Sequence, residues 1–302
     1  MGQIAALASA LSYALSYCFL RKGQAQATPP DFGLLPVLFI SAFALDAVWA
    51  IQFAFAEHAR PAAETDFTSR GMLWACLSGL TATLCGRLLL YNAIDRLGAT
   101  RSVILKGISP LATMLTVVIA LDQDLSENDY LGLLAVFVAM ALLFLERVLH
   151  PPEERSIRFF QNAVVIGVAA ALLQGIGHAM RQLGVENGLS ASVASALDIT
   201  TACVVYMSLL AVTGKLGQRV KWYRAHGSVW LIAAGLSSSA GVFLFFLATA
   251  FLPVSSVAIL VATEPLFVTL LSAIFFAKLE RPTWWTGVAA ITMTASVLFL
   301  TR

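Results

Sequence analysis

The chain has 302 residues, 59% of them hydrophobic and only 12% charged, with a mean hydropathy of +0.83. So little charge cannot cover a water-exposed surface of this size, and the surrounding solvent is therefore lipid. A net charge of +2, with no basic cluster interleaved with aromatics, offers nothing to a nucleic acid.

A bilayer core of about 30 Å needs roughly 20 apolar residues per helix. Runs near that length predict ten membrane helices, at 4–20, 34–55, 72–93, 99–121, 130–148, 161–180, 191–212, 229–252, 254–277 and 284–300. The first run has no basic stretch before it and no small-residue cleavage site after it, so it reads as a retained helix and not a signal peptide. The longest charged connection, Glu146–Phe159, carries His150-Pro151-Pro152-Glu153-Glu154-Arg155. It divides the chain into a first five-helix repeat (1–148), a linker (149–160) and a second five-helix repeat (161–302). Cys18, Cys76, Cys85 and Cys203 all lie in apolar segments without metal-ligand spacing and read as small buried hydrophobes.

The second half repeats the first. Shifted by 155 positions, Ala93 meets Ala248, Ile104-Leu105 meets Ile259-Leu260, Pro110-Leu111 meets Pro265-Leu266 and Phe144-Leu145 meets Phe299-Leu300. Gly86 meets Gly241 on the same offset, and helix one meets helix six at an offset of 161 (Gly23 with Gly184). Five helices per repeat, an odd number, puts the halves in opposite orientation, which is an inverted repeat. Pro110 and Pro265 are the matched helix bends, because proline removes a backbone hydrogen bond in mid-helix. Glycines and serines such as Gly167, Gly175, Gly177 and Ser237-Ser238-Ser239 read as close helix packing. Trp222, Tyr223, Trp284 and Trp285 read as an interfacial belt.

Ionisable side chains in hydrocarbon are costly and default to function or pairing. The predicted helices contain Asp46, Arg87, Lys106, His178, Asp198 and Glu264. Lys106 sits one turn before Pro110, while Glu264 adjoins Pro265, so the two bends differ in charge: a cation in one half and an acid in the other. That asymmetry suits a site gripping a substrate by two different ends, although Glu264 could equally cap backbone donors at its bend. Tyr13 with Tyr17, and Gln174 with His178, are i, i+4 pairs at matching positions of helices one and six, giving two polar stripes. Arg87 with Tyr91 forms a third such pair, and arginine holds carboxylates bidentately. Asp46, Asp198 and Glu264 are candidates for proton coupling. The plainer alternative is internal pairing, such as Asp46 with Arg87.

Each half closes with a proline, an apolar run, an acidic turn and a glycine-containing last helix. Glu264-Pro265 and Lys278-Leu279-Glu280 carry this in the second half, and Asp122-Gln123-Asp124 is a loose version in the first. The pattern resembles the EamA-type branch of the drug/metabolite transporter superfamily, best over Gly98–Leu145 and Val254–Leu300. The resemblance implies an all-α integral membrane protein of ten helices around a midplane cavity, working by alternating access on small metabolites. Two features differ: Asp46 stands where many relatives carry arginine, and the family is usually drawn with cytoplasmic termini. Here the connecting segments hold 4 Lys and Arg on the terminal side (Arg60, Arg70, Arg181, Arg302) against 13 on the other, a count that favours termini outside where the resemblance favours the cytoplasm.

The expected function is therefore secondary transport of an amino acid or other carboxylate-bearing compound, with export as the favoured direction and protons as a candidate coupling ion. The residues expected at the substrate are Tyr13, Tyr17, Arg87, Tyr91, Lys106, Gln174, His178 and Glu264. No cofactor or metal is called for, and the partners are the small-molecule substrate and the lipid of an inner or plasma membrane, with the protein a monomer or homodimer. Efflux of neutral or cationic compounds is the alternative. An intramembrane enzyme lacks support: there is no HExxH, Gly235-Leu236-Ser237-Ser238 lacks the final glycine of a serine-protease motif, and Asp122-Gln123-Asp124 has no catalytic domain behind it. A non-transporting scaffold would not need six buried ionisable groups.

Overall fold

The structure, a computed structural model, describes residues 1–59, 68–121, 125–149 and 157–275, together with Val288 and Thr292. The expected tenth helix at 284–300, Lys278-Leu279-Glu280, Asp122-Gln123-Asp124 and most of the linker lie outside the described residues. Within them the chain is all helix. Eight helical spans are long and apolar enough to cross a membrane.

α1 (Gly2–Gln26) and α2 (Leu34–Ala59) each run several residues past the predicted ends. The third span is α3 (Ser69–Ser78), a π-helical segment (Gly79–Gly86) and α4 (Arg87–Leu97) in one continuous rod. Gly98, at φ 89°, makes the left-handed corner into α5 (Ala99–Lys106), and α6 (Ser109–Leu121) follows after a break. α7 (Glu127–Leu149) begins with a capping box, in which Ser126 N and Oγ donate to Asp129 Oδ2 and Asp129 N donates back to Ser126 Oγ. α8 (Ile157–Glu186) and α9 (Ala191–Val212) are joined by a short connection, 187–190. A short helix, α10 (Leu216–Ala225), was not expected; α11 (Val229–Thr249), α12 (Val254–Val261) and α13 (Glu264–Phe275) complete the described chain.

The two helix breaks fall at matching places, since residues 107–108 and 262–263 differ by the same 155 positions. The prolines, however, do not interrupt the helices. Pro110 and Pro265 each stand second in the helix that follows the break, where no N–H is needed. The break itself is tightened instead of unwound. Ile108 N donates to Leu105 O, Leu111 N to Ile108 O, Thr263 N to Leu260 O and Leu266 N to Thr263 O, all three-residue turns.

The extensive helix pairings join the two sides of the linker. α1 packs along α11, α2 against α9 and α11, and α3, α4 and α6 against α8. Small residues make this possible, with serines bonding across the seam: Ser9 Oγ to Gly241 O, Ser16 Oγ to Ala234 O and Ser41 Oγ to Gly235 O, each 2.8 Å. Large apolar side chains such as Phe43, Ile119, Val165, Val204 and Ile274 face outward, while Arg87, Lys106, Arg181, Asp198 and Glu264 are buried. That inside-out polarity is what a lipid solvent selects. Cys18 and Cys203 are buried as expected, but Cys76 is only half-buried and Cys85 is exposed, on the outward side of the third span.

α10 is held by its inward face. Asp31, between α1 and α2, accepts from Tyr206 Oη at 3.1 Å and from Tyr223 Oη, and caps Leu35 N at 3.2 Å. Burial and the adjacent Asp31 carboxylate push the Tyr223 hydroxyl well above the usual tyrosine range, so it remains the donor. Tyr223 is thus an inward anchor, not part of an outward aromatic belt.

Candidate functional site

Six of the eight expected substrate residues converge on one internal cavity. α1 contributes Tyr13 and Tyr17, one turn apart with stacked rings 6.1 Å between centroids. α4 contributes Arg87, α5 Lys106, and α8 Gln174 and His178. The lining is completed by Ala82 of the π-helical segment and by Arg181. The free space among them is about 10 Å³, close to the room one water molecule needs. Tyr91 is fully buried one turn beyond Arg87, behind the cavity wall.

Lys106 and Glu264 do not offer two separate ends to a substrate, as expected from the sequence; they hold each other. Lys106 Nζ donates to Glu264 Oε1 at 2.7 Å and Oε2 at 2.5 Å, and to Tyr17 Oη at 2.9 Å. Both side chains are at least 96% shielded, at 4% and 2% exposure. The last residue of α5 is thereby tied to the first residue of α13, one break to the other. The pair also answers the capping alternative, because both carboxylate oxygens of Glu264 go to the lysine.

A second buried pair was invisible as such in the sequence. Arg181 was placed in a connecting segment on the terminal side, but α8 continues to Glu186 and Arg181 is 2% exposed inside it. Its Nε donates to Asp198 Oδ1 at 3.3 Å, its Nη2 to Asp198 Oδ2 at 3.4 Å and to Thr83 Oγ1 at 2.9 Å, and its Nη1 to Tyr13 Oη at 3.4 Å. The guanidinium also lies 5.2 Å and 5.4 Å from the Phe245 and Phe246 rings. One signal did exist: Gln174, His178 and Arg181 continue a single stripe at i, i+4, i+7. Removing Arg181 from the connecting segments changes the terminal-side count from 4 to 3, against 13.

Asp198 accepts two further bonds, from Ser78 Oγ at 2.5 Å and from Thr83 Oγ1. Those hydroxyls are five residues apart, which on an α-helix would separate them by about 140°. The wider π-helical turn brings both to one side. Gly79 sits where this segment crosses α9, and any Cβ there would collide with the Asp198 carbonyl oxygen. The π segment, Gly79 and Asp198 thus form one device that fixes Arg181 at the cavity. Asp46, by contrast, lies half-buried on α2 and accepts from Thr200 Oγ1 at 3.0 and 3.1 Å. It neither pairs with Arg87 nor reaches the cavity.

Arg87 stands apart. It is buried at 6% exposure, and its Nη1 has no hydrogen-bond partner among the described residues. No described carboxylate lies within ion-pair distance of it. His178, its ring 4.5 Å from that of Phe245, likewise has Nδ1 unpartnered. A buried unpaired cation is expensive in this setting, and a bound anion is the compensation that the chemistry invites.

A sequence model of the EamA-like transporter family matches residues 1–145 and again residues 161–302. The chain belongs to that family. One solved structure, titled only "Crystal structure of protein", superposes with a TM-score of 0.64 at 12% identity, covering 98% of this chain and 96% of the other. That likeness shows the fold alone. No curated protein matches the chain.

Proposed function

We propose that the protein is a secondary carrier for a small carboxylate-bearing metabolite, working by alternating access around the Tyr13–Arg87–Lys106–His178 cavity. The observation that carries this reading is Arg87, a buried guanidinium lining the cavity whose Nη1 has no hydrogen-bond partner among the described residues. The other two cations there, Lys106 and Arg181, already have carboxylates. The substrate's carboxylate docks on Arg87 in the fork geometry guanidinium favours. The inverted repeat read from the sequence supplies the two symmetry-related arrangements, with the paired breaks at 107–108 and 262–263 as the moving parts. The compactness of the cavity matches an occluded stage of such a cycle. The excess of Lys and Arg on the side away from the termini supports an orientation with the termini outside.

A cationic substrate fits less well, because the charged groups at the cavity sum to a positive value. Uptake by the purified, reconstituted chain tests the reading. Saturable, protein-dependent flux of at least one small carboxylate is expected. Flux restricted to cationic or neutral compounds would favour the alternative cargo, and no ligand-dependent flux of any kind would sink the carrier reading.

A further inference from the structure

Counting charges around the cavity fixes more than the presence of an anion. Lys106 with Glu264 sums to zero wherever their shared proton lies, and Arg181 with Asp198 does the same. Counting His178 as neutral imidazole, one elementary charge remains, that of Arg87. The acids at the cavity are also already engaged. Glu264 accepts twice from Lys106, Asp198 accepts from Arg181, Ser78 and Thr83, and Asp46 is remote from the lining. A substrate ammonium group would find no carboxylate waiting for it.

The uncommitted hydroxyl and guanidinium groups are donors. Tyr17 and Tyr13 accept from Lys106 and Arg181, which leaves each phenolic O–H to donate. Among the described residues Arg87 Nη1, a donor only, and His178 Nδ1, a donor or an acceptor according to its tautomer, have no partner. The site thus offers donors and one net positive charge, and it has no free acceptor of full charge.

Resting on the carrier reading above, we infer that the cargo is a monoanionic carboxylate without an amino group, and that membrane voltage drives its export one net charge at a time. Loaded with a monoanion, the site is neutral and crosses without regard to voltage. Empty, it carries the charge of Arg87, and a potential negative inside favours its return inward. The cycle therefore moves one negative charge outward per substrate and needs no proton. A potential of 100 mV is worth about 2.3 kcal/mol per elementary charge. At 1.36 kcal/mol per decade, this limits the gradient to about 50-fold.

The test uses the full chain in phosphatidylcholine–phosphatidylglycerol vesicles, with a potassium gradient and valinomycin setting 100 mV. The probes are labelled 2-oxo acids with side chains from methyl to benzyl and the amino acids of the same carbon skeletons, each compared with protein-free vesicles. A 2-oxo acid is expected to accumulate in the positive compartment, toward the 50-fold limit, and to outpace its amino-acid counterpart. Preference for the amino acid would overturn the substrate assignment. Protein-dependent 2-oxo acid flux indifferent to voltage would overturn the charge accounting while leaving the carrier reading intact. No flux of any probe would overturn the carrier reading for carboxylates, and this inference with it.

Discussion

Arg181→Met is expected to destabilise the protein by about 3–5 kcal/mol, the usual cost of stranding one partner of a buried ion pair. The loss is large because Asp198 is 0% exposed and would keep only Ser78 and Thr83. Those hydroxyls are neutral donors and cannot replace the charge. The double variant Arg181→Met/Asp198→Leu removes both charges, so its loss should be well below the sum of the single losses. Thermal unfolding in detergent of Arg181→Met, Asp198→Leu and the double variant reads this directly. A single variant that melts with the wild type would show that the pair does not hold α8 and α9 to the π-helical segment.

The Lys106–Glu264 pair should behave likewise, but with a different structural consequence. Lys106→Met and Glu264→Leu are each expected to cost about 3–5 kcal/mol. Lys106→Met/Glu264→Leu should recover most of that, since apolar side chains of similar volume often replace a buried pair at little cost. The pair joins the end of α5 to the start of α13, so the single variants should also loosen these two breaks relative to each other. Hydrogen exchange of the backbone at Gly107 and Thr263 would report the loosening. Losses that simply add in the double variant would mean that the two side chains act independently.

Much of the fold was legible because membrane helices announce themselves by length and apolarity. The spans α1, α2, α9 and α11 fall on predicted runs, and the two breaks fall on the repeat. The site was legible through cost: Arg87, Lys106, His178 and Glu264 were conspicuous because hydrocarbon does not tolerate such groups without reason. Arg181 escaped for the same reason. Followed by Gln182 near the end of an apolar run, it looked like the residue at which the helix leaves the membrane. Only its partner on the next helix makes burial affordable, and pairing between helices cannot be read from one helix. The π-helical register of Gly79–Gly86 is equally hidden, since Gly-Leu-Thr-Ala-Thr-Leu-Cys-Gly has no feature that distinguishes it from α-helix. The effect of the prolines was misplaced by a few residues. The sequence marks the bend, but proline is comfortable in the first turn after it and not at the break itself.

The charge difference between the two bends has an explanation inside the protein. Lys106 and Glu264 differ from their counterparts Val261 and Ser109 because they bond each other, not because each waits for a substrate. The docking group we propose instead is Arg87. Carboxylate flux into vesicles containing wild-type, Arg87→Lys or Arg87→Gln protein, each first shown to be folded by its thermal unfolding, tests that most directly. Flux should fall at least about 100-fold in Arg87→Gln, as expected when a charge-assisted contact worth roughly 3 kcal/mol is lost, and by less in Arg87→Lys, which retains the charge but loses the fork. Undiminished flux through folded Arg87→Gln protein would contradict the account.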